Sequence, residues 1–312
     1  MEKMGFEPTT FCLPGKHSNQ LSYIPKIVTQ IYNFIETNSN SKPIFFRFVI
    51  NLHQIQNFMS DENSNGFIDV QIENKIAIIT FSHPSSNSFP SELLLKLTHE
   101  LNQISINTHV NVVILQSEGK TFCAGASFDE LLSIADFETG KEFFSGFANV
   151  INAMRKCSKI IIGKIQGKAV GGGVGLISAC DFAFAYQDAS VKLSEIAIGI
   201  GPFVIEPAVT RKIGKNAMTQ LTLLPNNWQT ADWAIEKGLF ADVFDSYSDL
   251  NTETLSFAQK LASYNPEALT EMKKVFWEGT ENWDELLHER AAISGKLVLS
   301  DFTKEALSQF KK

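Results

Sequence analysis

The stretch KAVGGGVGLISACD (Lys168–Asp181) places four glycines within the five positions Gly171–Gly175, between an apolar run and a segment of helical character. Glycine loses more backbone freedom on folding than any other residue and weakens the interior of helices and strands. A chain concentrates it where the backbone must turn sharply, or where another group must come so near that no β-carbon fits. With a strand before it and a helix after it, the cluster predicts a small-residue turn opening a helix. A helix N-terminus carries backbone N–H groups without intrahelical partners and a partial positive charge.

A second stretch, SEGKTFCAGASFDEL (Ser117–Leu131), repeats the order of strand, tight turn (Ala124, Gly125, Ala126) and helix start. Two such turns facing each other would each offer one N–H to a single carbonyl oxygen. That arrangement is an oxyanion hole, suited to an enolate or a tetrahedral alkoxide. Large side chains at either turn would block the carbonyl's approach.

Composition removes several alternatives. The 312 residues are 44% hydrophobic and 20% charged, enough for one large core or two modest ones. A net charge of −7 argues against a nucleic-acid partner, which needs clustered lysine and arginine. Cys12, Cys123, Cys157 and Cys180 are far apart, with no CxxC and no histidine at metal-ligand spacing. They read as structural thiols in a reducing compartment, with no metal site and a cytoplasmic location expected. No histidine lies near Cys123 in sequence to activate it as a nucleophile. The most apolar window, PIFFRFVINL (Pro43–Leu52), is short and interrupted by Arg47, so no membrane partner is expected.

GFEPTTFCLPGKHSNQLSYIP (Gly5–Pro25) has neither helical nor strand period. It resembles the peptide obtained when a transfer-RNA gene is translated in antisense. Residues 1–58 are therefore expected to be a false start or a disordered extension, with Met59 as the natural start of about 250 residues. Beyond Met59, KIAIITFSHP (Lys75–Pro84), VNVVILQSE (Val110–Glu118) and KIIIGKIQGKAV (Lys159–Val170) read as strands. SELLLKLTHELNQI (Ser91–Ile104, with Ser91 as N-cap) and TGKEFFSGFANVINAMRKC (Thr139–Cys157) read as amphipathic helices. FAFAYQDASVKLS (Phe182–Ser194) reads as two short strands about a turn, and residues 251–312 as a helical region. Alternating strands and helices predict an α/β core over residues 59–250 with a mainly parallel sheet.

FCAGASFDEL, GKAVGGGVGLISACDFAFA and LSEIAIGIGP occur in an order and spacing that resemble the enoyl-CoA hydratase/isomerase (crotonase) superfamily. The resemblance extends from Gly66 to Lys312. It implies a crotonase-like spiral of ββα repeats with a C-terminal helical trimerisation region, assembling as a homotrimer or a dimer of trimers. It also implies an acyl-CoA thioester as substrate, with CoA entering as part of that substrate and no separate cofactor. Carried over position by position, Ala126 and Gly172 are the two oxyanion-hole donors and Glu195 is a catalytic carboxylate. Ala124, Gly125, Gly171, Gly173, Gly175 and Phe128 are expected against the substrate. Many family hydratases hold a second glutamate where this chain has Gly175, and an aspartate where it has Ser127.

A single glutamate can serve hydration of a 2-enoyl thioester by taking water's proton and delivering one to the α-carbon. It can equally serve Δ3,Δ2-enoyl isomerisation, moving a proton between two carbons. Hydration in fatty-acid or branched-chain amino-acid breakdown is the first expectation and isomerisation the second; a non-catalytic acyl-CoA binder is the third. Glu206 is expected in a salt bridge with Arg211 or Lys212, the alternative being a replacement acid. Asp129 and Glu130 sit where they favour the helix dipole. Lys120, Lys164 and Lys168 are candidates for CoA phosphates, and His83, His99, His109 and His288 have no assigned role. A dinucleotide site is excluded because Leu176 stands where G-x-G-x-x-G requires its last glycine.

Overall fold

The computed structural model describes residues 66–309; the reading of residues 1–58 lies outside the described residues. Two sheets organise the chain. The larger has the order β1 (Phe67–Glu73), β2 (Ile76–Ser82), β3 (Val112–Ser117), β5 (Ile160–Ile165), β7 (Phe182–Tyr186) and β10 (Asp242–Phe244). Only β1 and β2 pair antiparallel; the other neighbours are parallel. The smaller sheet has the order β4 (Thr121–Cys123), β6 (Lys168–Val170), β8 (Ser190–Lys192) and β9 (Gln229–Thr230).

The central strands are buried on both faces, so their side chains divide by alternation. From β3, Val113 and Leu115 enter the main core while Val112 and Ile114 enter the second. From β5, Ile161 and Ile165 take the first side, Ile160 and Ile162 the other. Helices α1 (Ser91–Ile106) and α3 (Phe137–Lys156) contribute Leu94, Leu97, Leu101, Val150, Ile151 and Met154 to the main core. Two further helices, α4 (Gly172–Ala179) and α5 (Glu206–Leu223), add Val174, Leu176, Ile177, Ala208 and Val209. Helix α7 (Tyr247–Ala262) covers the opposite face through Leu250, Ala258 and Ala262. The remaining helices are α2 (Phe128–Ser133), α6 (Ala231–Glu236), α8 (Pro266–Phe276), α9 (Trp283–Leu297) and α10 (Asp301–Ser308). Among the described residues no helix is long and apolar enough to cross a membrane.

Several expectations change. The single strand predicted over Lys159–Val170 is two strands in different sheets, broken near Gly167, where a β-carbon would run into the Lys120 carbonyl. The two strands predicted within Phe182–Ser194 exist, but β7 joins the large sheet and β8 the small one. Strands β9 and β10 carry no periodic signal long enough to register. Ser91 is the first helical residue rather than the cap: its N–H and hydroxyl both donate to the Glu130 carboxylate, at 3.0 and 2.6 Å to Oε2. Glu130 thus closes the start of α1 from α2, while Ser127 caps α2 by accepting from the Glu130 N–H.

A buried ion pair fastens α8 to the core. Lys273 Nζ lies 2.9 Å from Asp181 Oδ2, and both side chains are almost wholly buried. Asp181 also accepts from the Ile161 N–H at 2.8 Å and from Trp277 Nε1 at 2.8 Å, and Lys273 donates to the Lys159 carbonyl at 2.7 Å. Removing one partner of such a pair strands the other charge in a dry interior. Lys273→Ala is expected to lower unfolding free energy by about 3–5 kcal/mol, measured by urea denaturation.

Candidate active site

Three strands of the small sheet end side by side and lead into the turns that matter. β6 pairs parallel with both β4 and β8, matching Ala169 to Cys123 and Val170 to Lys192. All three therefore deliver their C-terminal ends to the same edge, where open parallel sheets place ligand crevices. β4 leads into Ala124–Ala126, β6 into Gly171 and Gly172, and β8 into Ser194 and Glu195.

The turns are closely set. A β-carbon on Gly125 would lie 3.0 Å from the Val170 carbonyl oxygen and 3.6 Å from the Gly172 nitrogen, and its φ of +90° suits glycine. The Phe89 N–H donates to the Gly125 carbonyl at 2.8 Å and the Ser127 N–H donates to the Phe89 carbonyl at 2.9 Å. Strand alternation then turns the intervening Ala126 N–H away from Phe89. Gly172 is the first residue of α4, where an N–H has no intrahelical acceptor. Among the described residues neither N–H has a hydrogen-bond partner.

Glu195 opens a 3-10 turn (Glu195–Ile198) that follows β8. The Gly171 N–H donates to the Lys192 carbonyl at 3.0 Å, and this register carries the Glu195 carboxyl onto Gly171. A β-carbon at Gly171 would stand 2.7 Å from Glu195 Oε1, and the Gly171 φ is +54°. Oε2 is buried with no hydrogen-bond partner among the described residues. Burial raises the Glu195 pKa from 4.5 to about 7, against the opposing pull of the backbone N–H groups of Glu195 and Ser194.

Ala126, Gly172 and Glu195 line one cavity of about 150 Å³, together with Ala124, Gly125, Gly171 and Phe128. Leu131, Phe144, Phe147, Phe203 and Ile205 make its wall apolar, and its polar side chains are Ser194, Glu195 and Ser294. Two unpaired backbone N–H groups and one carboxyl of near-neutral pKa in a single cavity can receive a carbonyl oxygen and move a proton near it.

Gly173 and Gly175 do not line this cavity. A β-carbon on Gly173 would lie 2.7 Å from the Cys123 carbonyl oxygen; one on Gly175 would lie 2.5 Å from Ile205 Cγ2. These two glycines serve packing of α4 against β4 and α5, and Ile205 fills the space beside Gly175. Among the described residues the salt bridge expected of Glu206 is not formed. Glu206 accepts from Thr210 one turn on, at 2.7 Å, while Lys212 donates to the Cys180 and Asp181 carbonyls, both at 2.9 Å. Arg211 donates to the Phe276 carbonyl and lies over the Trp277 ring. Nor does Glu206 line the cavity as a second acid. Lys164 bonds Asn251 at 2.7 Å and Lys168 lies over Trp228, both away from the cavity lining. Cys123 is buried, its thiol pushed up to about 12, which removes it as a nucleophile. Ser294 from α9 was invisible in the sequence, because a serine inside a helix gives no signal of what it faces.

A family model described as enoyl-CoA hydratase/isomerase matches residues 71–311. The chain belongs to that family. Among relatives, it is 32% identical over 187 residues to the bacillaene synthase dehydratase PksH of Bacillus subtilis, covering 59% of this chain and 70% of that one. It is 26% identical over 238 residues to a peroxisomal Δ(3,5)-Δ(2,4)-dienoyl-CoA isomerase of Arabidopsis thaliana, covering 71% of this chain and 84% of that one. The fold matches a crystal structure of an enoyl-CoA hydratase from Bacillus halodurans with a TM-score of 0.72 at 21% identity, over 78% of this chain and 99% of that one. The crotonase fold expected from the sequence is therefore present, and this family acts on acyl-CoA thioesters.

The raised carboxyl has a thermodynamic consequence. Its folded pKa exceeds the unfolded value, so its stabilising contribution is complete below about 4.5 and is lost as pH rises through about 7. Glu195→Gln, which cannot ionise, is expected to escape that loss. Urea unfolding at pH 5 and pH 8 should show the variant gaining on the wild type by up to about 3 kcal/mol at the higher pH.

Proposed function

We propose that this protein is an acyl-CoA enzyme that adds water across the double bond of a 2-enoyl thioester, or removes it in reverse. The observation that carries this reading is the Glu195 carboxyl, raised to about 7, in an apolar cavity beside the Ala126 and Gly172 N–H groups. The thioester oxygen accepts both N–H groups, which drain charge from the carbonyl as an enolate forms. Glu195, as carboxylate, takes a proton from water as the oxygen attacks the β-carbon. The same group, now protonated, delivers a proton to the α-carbon and returns to its starting state. A pKa near the working pH suits a residue that must be both base and acid. The dehydratase and hydratases among the relatives support this direction.

One observation favours a second reading, Δ3,Δ2-enoyl isomerisation. Among the described residues Glu195 is the only carboxyl lining the cavity, and a single shuttle suffices to move a proton between two carbons of the same substrate. The test is an assay with crotonyl-CoA and with a 3-enoyl-CoA. Turnover of crotonyl-CoA to the 3-hydroxy product supports hydration; turnover of the 3-enoyl substrate alone replaces it with isomerisation. With either substrate, Glu195→Gln is expected to lower kcat by about 10²–10⁴. The kcat/KM of the wild type should rise with pH through about 7, as the free enzyme's base loses its proton.

A further inference from the structure

Ser294 is 1% exposed, on α9, and faces the same cavity as Glu195. A serine or threonine inside a helix commonly turns its hydroxyl back to the carbonyl four residues earlier. Ser178 does so to Val174 at 2.8 Å, and Thr98 to Leu94 at 2.8 Å. The Ser294 hydroxyl makes no such bond, nor any other among the described residues. A hydroxyl in a cavity wall that no protein group engages is available to whatever enters the cavity, and a ligand group that bonds it gains a contact the empty site lacks.

The backbone that carries this hydroxyl is held by close packing. Its neighbour Gly295 packs directly on α3: a β-carbon there would lie 2.5 Å from the Lys141 nitrogen, and one on Gly140 would lie 3.0 Å from the Gly295 carbonyl oxygen. The two helices meet backbone to backbone, which fixes Ser294 relative to the Phe144 and Phe147 wall supplied by α3. A pre-placed donor in an apolar wall discriminates strongly, because a ligand lacking the matching group leaves it unpaired. The charge of that group is also constrained. Among the described residues no lysine, arginine or histidine lines the cavity, and Glu195 is the only ionisable side chain there. An acyl chain ending in a carboxylate would meet no counter-cation there.

We infer that Ser294 selects thioesters whose acyl chain carries a neutral hydrogen-bonding group, a hydroxyl or ketone, beyond the reacting carbons. The inference rests on the thioester reading above and adds to it the class of acyl group. Saturated probes separate binding from chemistry. Hexanoyl-CoA, its derivatives hydroxylated at carbon 4, 5 or 6, and adipoyl-CoA are titrated calorimetrically into the wild type and Ser294→Ala. At least one hydroxylated probe is expected to bind about 10-fold tighter than hexanoyl-CoA, and adipoyl-CoA more weakly than either. Ser294→Ala should remove that preference, read as the ratio of the hydroxylated-probe Kd to the hexanoyl-CoA Kd falling to about 1. Ser294→Cys, close in size and a weak donor, gives the same loss and serves if the alanine variant melts early. A wild type without preference, a preference that survives both variants, or tightest binding by adipoyl-CoA overturns the inference. Absence of binding by every probe, hexanoyl-CoA included, overturns the thioester reading itself and the inference with it.

Discussion

The approach of the Glu195 carboxyl to the Gly171 backbone is the contact on which the site depends. It is a product of strand register: β8 pairs with β6, the Gly171 N–H holds the Lys192 carbonyl, and the chain then runs three residues on to the acid. With the carboxyl 2.7 Å from where a β-carbon would stand, any side chain at Gly171 would displace it. Burial of the carboxyl at this place takes it out of water, and that loss of solvation raises its pKa to about 7.

Around that contact, the small sheet works as an alignment device. Parallel pairing of β4, β6 and β8 sends three turns to one edge, two bringing a backbone N–H and the third a carboxyl. The first turn presents the Ala126 N–H, the second the Gly172 N–H at a helix start, and the third the carboxyl. Among the described residues the strands of the large sheet contribute nothing to the cavity lining; their packing on both faces forms the core beneath these turns. The C-terminal helices are more than an appendage. Helix α8 is tied to the core by the Asp181–Lys273 pair, and α9 carries Ser294 into the cavity wall.

The glycine cluster separates into distinct physical roles. Gly171 makes room for a carboxylate, Gly172 starts a helix against the Phe147 ring, and Gly173 and Gly175 let α4 press on Cys123 and Ile205. The sequence treated them as one feature, because adjacency along a chain says nothing about which neighbour each Cα will meet. Ile205 at Gly175 also explains why no second carboxyl stands there: the space belongs to an aliphatic side chain.

Local pattern alone determined the strand–turn–helix units, the two glycine turns and the α/β class, because hydrophobic period and backbone permissiveness act over a few residues. The resemblance carried by three ordered motifs pointed to Ala126, Gly172 and Glu195, and these do line one cavity. Tertiary structure decided the rest. It split Lys159–Val170 between two sheets, paired Glu206 with Thr210, gave Glu130 to the start of α1, and put Ser294 in the wall of the cavity that holds Glu195. Apart from the Glu206–Thr210 bond, which spans one helical turn, each of these depends on which surfaces meet across tens to hundreds of residues. Sequence periodicity assigns a face to each element, but only packing against a particular partner decides what that face will touch.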